Sequence, residues 1–185
     1  MSNTDILIVI VLVIVVLIAI SVPVAARRRR AQRLHDRFGP EYDRTVRSVG
    51  DEQKAQQELD DRQKHVESLN IRSLSVDERE KYLAAWSAIQ AKFVDEPGQA
   101  IDDAGRLIME VMQARGYPMA DFDQRAADIS VNYPNLVNNY REARLIAVKN
   151  EQHLASTEDL RQAMINYRSL FDELLQTEAV VEKEK

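Results

Sequence analysis

Residues Ile6 to Ala26 form an uncharged run of 21, sixteen of them Ile, Leu or Val, and Arg27, Arg28, Arg29 and Arg30 follow directly. As a helix rising about 1.5 Å per residue, the run reaches about 31 Å, the thickness of a bilayer's hydrocarbon core. Its β-branched residues would favour a strand in water. In lipid a lone strand leaves its backbone groups unpaired, whereas a helix satisfies them internally. The sequence therefore predicts a transmembrane helix over 6–26, preceded by a short extracytoplasmic N-terminus, 1–5. The alternative is a cleavable signal peptide, with Val24-Ala25-Ala26 as the cleavage site and a secreted helical domain as the product. Met1–Asp5 contains no Lys or Arg, the run exceeds the usual core of about 7–15 residues, and four arginines follow, all of which favour a retained anchor. By the positive-inside rule Arg27, Arg28, Arg29, Arg30, Arg33 and Arg37, in the basic juxtamembrane segment 27–39, set the membrane topology: N-terminus out, remainder in the cytoplasm.

Charge is segregated along the chain. Residues 38–185 hold 19 basic and 28 acidic side chains, a net charge of −9, while the six collar arginines are accompanied only by Asp36. An anionic leaflet attracts such a collar at about 1 kcal/mol per residue and repels the acidic body. The first expected partner is thus the lipid bilayer. Nucleic acid is not expected, because it calls for clustered Lys and Arg on the folded domain. The chain has no cysteine, which excludes disulfide scaffolds, zinc ribbons and thiol catalysis and fits a cytosolic domain.

Caps and periodicity predict an all-α fold, the transmembrane helix being followed by an antiparallel helical bundle. Gly39-Pro40 breaks the helix that emerges from the membrane, with Pro40 suited to a first turn. The segment 40–72 reads as a polar helical arm: Tyr42, Val46, Val49, Leu59 and Val66 fall at helical spacing, Gly50-Asp51 interrupts them, and Gln53, Gln56 and Gln63 occupy the seam. Such an arm is either exposed or packed along one narrow stripe, and it suits self-association or docking. Within the bundle, 73–176, Ser75 and Glu78 form a capping box ahead of Tyr82, Leu83, Trp86, Ile89 and Phe93. Pro97-Gly98 precedes a stripe of Ile101, Ala104, Leu107, Ile108, Val111 and Met112 that Gly116-Tyr117-Pro118 stops. A short helix from about Asp121 to Ile129 comes next. Leu136, Val137, Tyr140, Ala143, Ile146 and Ala147 line another helix. Ser156 with Asp159 caps the last, whose stripe runs from Leu160 to Leu175. Four stripes joined by short breaks make a bundle, and 177–185 is a charged, flexible tail.

The sequence presents no catalytic constellation: no phosphate loop, no nucleophile elbow and no Glu-x-x-His pair. His35, His65 and His153 sit in separate polar segments, so neither a metal site nor a cofactor is expected. Asp102-Asp103, Asp121, Asp123 and Asp128 read as helix-start acids, and Trp86, Tyr82, Tyr140 and Tyr167 as core, with the lining of a pocket as the alternative. The least generic stretch runs from Arg115-Gly116-Tyr117-Pro118 through Ser130. Arg115, Tyr117, Asp121, Asp123, Arg125 and Asp128 make a candidate partner surface there. The competing reading is a structural connection in which Phe122 and Ile129 plug the bundle end and Arg125 pairs with a carboxylate.

Arg37 to Asp43, Trp86 to Asp95, Arg115 to Pro118, Asp121 to Ser130 and Leu160 to Leu175 together resemble a family of uncharacterised bacterial single-pass, membrane-anchored helical proteins. The resemblance implies a bacterial plasma membrane and brings no activity or site residues with it. The expected function is a non-catalytic interaction or scaffold module at the cytoplasmic membrane face, acting on a protein partner or by self-association, since confinement raises the effective concentration of weak contacts. The alternative is a ligand-binding or enzymatic helical domain. An enclosed polar pocket with convergent carboxylates or a His would favour that alternative, and a dry bundle interior with an exposed apolar groove the interaction module.

Overall fold

A computed structural model describes Leu12 and residues 28–176. The expected N-terminus, the rest of the span, Arg27 and the expected tail lie outside the described residues. Among those described the chain is all-α, and no helix is long and apolar enough to cross a membrane. Residues 28–38 form α1. It is followed by α2 (Pro40–Val49), α3 (Glu52–Ser68), α4 (Val76–Lys92), α5 (Pro97–Ala114), α6 (Phe122–Asn132), α7 (Val137–Glu151) and α8 (Thr157–Gln176). The chain divides into two compact units at Leu59/Asp60, inside α3 and inside the segment expected to be a single arm.

In the first unit, Leu34, Phe38, Tyr42, Ala55 and Leu59 are buried. The break expected at Gly50-Asp51 is present: Gly50 adopts φ 74°, its N–H closes α2 on the Val46 carbonyl, and Asp51 accepts the Lys54 N–H at 2.9 Å to start α3. One polar triangle ties the two helices. The Tyr42 hydroxyl donates to Glu52 Oε1 at 3.0 Å, and Gln56 Nε2 donates to both at 3.1 Å. Along α3, Ala55, Gln56 and Leu59 are buried in the first unit and Val66 in the second, while most of the helix is exposed.

In the second unit the four expected stripes become one core. Trp86 of α4 stacks on Phe171 of α8 with ring centroids 4.6 Å apart, and Ile101, Ala104, Ile108, Val111 and Met112 of α5 are fully buried. Direction follows from side-chain pairs. Asn139 donates to Ser169 at 2.9 Å and Asn166 to Glu142 at 3.2 Å, so α7 and α8 run in opposite directions. Gly105 faces Tyr167 and Arg115 reaches Leu174, so α5 and α8 run the same way. Both capping boxes form: Ser75 with Glu78 at α4, and Ser156 with Asp159 at α8. Leu83 departs from its expected place and is exposed. The buried face of α4 is carried by Tyr82, Trp86 and Ile89, and Leu83 lies about 100° around the helix from Tyr82.

The turn after α5 depends on a glycine. Gly116 has φ 96°, and a Cβ there would lie 2.4 Å from the Asn70 carbonyl oxygen. Only glycine accommodates both the left-handed backbone and that approach. Segment 69–75 is thereby seated on the end of α5, where the Arg72 N–H donates to the Arg115 carbonyl at 2.8 Å.

At the start of α4, Glu78 accepts the Ser75 N–H at 2.9 Å and a two-pronged bond from Arg72 at 2.6 and 2.8 Å. The Arg72 guanidinium first and the Ser75 N–H second hold its carboxyl down at about 2. An unfolded Glu titrates near about 4.3, so this support is complete above that pH and is lost as pH falls toward 2. Glu78→Gln is expected to unfold at lower urea than the wild type by a constant margin at pH 6–8, a margin that narrows between pH 4.5 and 2. The fluorescence of Trp86, the chain's one tryptophan, reports it; an equal margin at pH 3 and pH 7 would contradict this assignment.

Candidate functional site

One face of the second unit opens into a cleft of about 340 Å³. Helical period builds it. On α5, Asp102, Gly105, Arg106 and Met109 border the buried stripe. On α7, Tyr140, Arg144, Ala147 and Glu151 recur every three or four residues, and α6 adds Phe122 and Arg125 while α8 adds Tyr167. The small residues Gly105 and Ala147 leave room between the larger ones. The Phe122 and Tyr140 rings lie 5.0 Å apart, those of Tyr140 and Tyr167 6.5 Å apart.

Three guanidiniums and two carboxylates line this space. Arg106 pairs with Asp103, which also accepts Lys92 Nζ at 2.9 Å and is held below the usual carboxylate range chiefly by that bond. Arg144 donates to Glu151 at 3.2 Å. Arg125 differs: its Nε donates to the Tyr140 hydroxyl at 3.3 Å and its Nη1 to the Ala120 carbonyl, both uncharged oxygens. Its charge is thus fixed in orientation but not cancelled by those partners. Tyr167 is 2% exposed, and burial pushes its hydroxyl well above the ordinary phenol value, which keeps it a donor at neutral pH. The cleft can hold an anion and hydrogen-bond it. Among the described residues no three His, Cys, Asp or Glu side chains gather as a metal ion would need.

The residues expected to form a partner surface are split. Asp121 is exposed and caps α6, accepting the Gln124 N–H at 2.9 Å, and Asp123 is exposed beside it. Arg125 faces the cleft, and a phenol and a carbonyl hold it in place of the expected carboxylate. Arg115, Tyr117 and Asp128 require correction, being 4%, 2% and 0% exposed. Arg115 sends Nη1 to the Tyr133 hydroxyl at 2.6 Å and to the Leu174 carbonyl at 3.0 Å, and Nε to the Arg72 carbonyl at 3.2 Å. The Leu174 carbonyl belongs to the last described turn of α8. The Tyr117 hydroxyl accepts from Asn132 at 3.0 Å, and its burial pushes it up to about 12. Asp128 Oδ1 accepts from Gln124 at 2.8 Å and lies 3.6 Å from His65 Nε2, while its buried Oδ2 has no partner. Ile129 is fully buried and Phe122 partly so, as the structural-connection reading expects.

Sequence reasoning missed half of the cleft. Asp102 and Asp103 were expected as helix-start acids, yet they lie beyond the first turn of α5 and serve the cleft and Lys92 instead. Tyr140 and Tyr167 are core residues whose rings also border the cleft. A signal existed in Gly105, since glycine inside a helix costs about 1 kcal/mol relative to alanine and marks a close approach. Of the topology arginines, Arg28, Arg29, Arg30, Arg33 and Arg37 are exposed. Arg28 and Arg30 border a more open cleft in the first unit, facing Glu52, Gln53, Gln56 and Gln57.

Two outcomes follow. Arg115→Ala is expected to destabilise the second unit by about 2–4 kcal/mol in urea titrations, because it removes a charged donor bound to three acceptors; a loss under about 0.5 kcal/mol would show the network to be dispensable. Asp128 titrates above its ordinary value because of burial, opposed by Gln124, His65 and Arg62. The folded state therefore holds that proton more tightly than the unfolded chain, and stability from this group declines as pH rises from about 4. Asp128→Asn should gain on the wild type between pH 4 and 7, and parallel stability curves would refute this. The chain matches no protein-family model, no curated protein and no solved structure, so the cleft is read from its own side chains.

Proposed function

We propose that this chain is a membrane-anchored, non-catalytic helical module that works by recognition at the cytoplasmic face of a bacterial plasma membrane. One observation carries the recognition half: the cleft is furnished with guanidiniums, which stay charged at any physiological pH, and with a Tyr167 hydroxyl pushed up by burial. Such groups hold a ligand without exchanging protons with it. Of the cleft's carboxylates, Glu151 is engaged by Arg144. The anchoring half rests on the 21-residue apolar run and the arginines behind it. The enzymatic reading draws on Asp102, a carboxylate within the same cleft.

Proximity labelling from a C-terminal fusion in living bacteria tests this reading. Cytoplasmic and inner-membrane proteins are expected to be labelled, and the chain is expected to stay in the membrane after an alkaline wash with its full 21.2 kDa mass. Labelling confined to external proteins, or a mature chain starting near Arg27, would replace the anchor with a secreted domain.

A further inference from the structure

We propose that the cleft is a binding site for a small, flat monocarboxylate, an inference that rests on reading the cleft as a recognition site. Three features select that chemistry. The first is Arg125. A guanidinium bound through Nε and Nη1 to a phenol and a backbone carbonyl is held in one plane with its charge unspent. Carboxylates match the planar donor fork of such a group better than any other small anion of single charge.

The second feature is charge count. Of the three guanidiniums at the cleft, Arg106 is engaged by Asp103 and Arg144 by Glu151, while Arg125 donates only to uncharged oxygens. One guanidinium is thus left to answer a ligand's charge, and a single negative charge matches it. A phosphate dianion would meet the two carboxylates at close quarters in a partly desolvated space, where like charges repel strongly.

The third feature is shape. Phe122 and Tyr140 present rings 5.0 Å apart, an apolar border for a flat body, and 340 Å³ sits at the small end of ligand pockets. Gly105 sets the position of the remaining donor: a Cβ there would lie 3.2 Å from the Tyr167 hydroxyl. The glycine lets that hydroxyl sit at the cleft wall, and burial keeps it protonated and able to donate.

Benzoate is the smallest probe with these properties. The full chain in detergent micelles is titrated by calorimetry and saturation-transfer NMR with benzoate, with its uncharged counterpart benzamide, and with inorganic phosphate. Saturable benzoate binding is expected, with benzamide and phosphate each at least tenfold weaker. Arg125→Gln should weaken benzoate at least tenfold and Arg125→Lys less, with unchanged Trp86 fluorescence showing that the fold is kept. Should Arg125→Gln fail to fold, Gly105→Ala provides the test, since its Cβ displaces the Tyr167 hydroxyl and should weaken benzoate at least threefold. The proposal is overturned by no benzoate binding, by benzamide or phosphate binding as tightly, or by variants that bind like the wild type. None of these results bears on topology, so the anchored reading stands or falls separately by proximity labelling.

Discussion

One buried guanidinium closes an end of the bundle. Arg115 follows the last turn of α5 and binds the Tyr133 hydroxyl, the Leu174 carbonyl and the Arg72 carbonyl, so three separate parts of the second unit are fixed by one side chain. The arrangement is favourable because the charge is spread over several acceptors. The turn beside it has no freedom either. Gly116 adopts a left-handed conformation against Asn70, and the Tyr117 hydroxyl accepts from Asn132. Segment 69–75, α6 and α8 are thereby held at fixed places on α5, and α5 and α8 are the helices that supply most of the core.

Fixing α6 has a consequence for the cleft. Arg125 lies on the same short helix as Asp128 and Ile129, and both of these are fully buried. The buried face sets the rotation of α6, and rotation decides where Arg125 points. A guanidinium placed by a locked helix costs less to organise around a ligand than one on a mobile loop. Asp128 works against this economy: one of its buried oxygens has no partner, an arrangement that subtracts from stability. His65 and Arg62 offset part of it. A buried carboxylate of this kind is a cost the core of the second unit has to carry.

The elements legible in the sequence were those written by local rules. Ser75 with Glu78 and Ser156 with Asp159 announce helix starts because a cap needs only residues three apart, and the stripe from Leu160 to Leu175 announces a buried face because one helix repeats every 3.6 residues. Gly50 and Gly116 mark breaks for the same local reason. Arg115 was illegible because its acceptors lie 18, 43 and 59 residues away, and nothing in the spacing of a lone arginine reveals burial. Asp128 looked like a surface acid, and its burial depends on how α6 packs. Of the cleft, Arg125 stood out in the sequence as part of a partner surface and Tyr140 and Tyr167 as aromatics able to line a pocket, whereas Asp102, Arg106, Arg144 and Glu151 fall on the polar borders of stripes, where solvated and cleft-facing residues follow the same pattern. The expected apolar span lies outside the described residues, so its reading remains one of sequence.

Electrostatics acts on two length scales in this chain, and the two have opposite signs. Residues 38–185 carry a net charge of −9, which at long range repels an anionic leaflet and small anions alike. At physiological ionic strength that repulsion decays over about 8 Å. Inside the cleft, the rings of Phe122 and Tyr140 exclude part of the solvent, and charges a few ångströms away dominate over the distant surplus. The guanidinium of Arg125, whose bonds go to uncharged oxygens, therefore sets the field inside the cleft more than the distant surplus does.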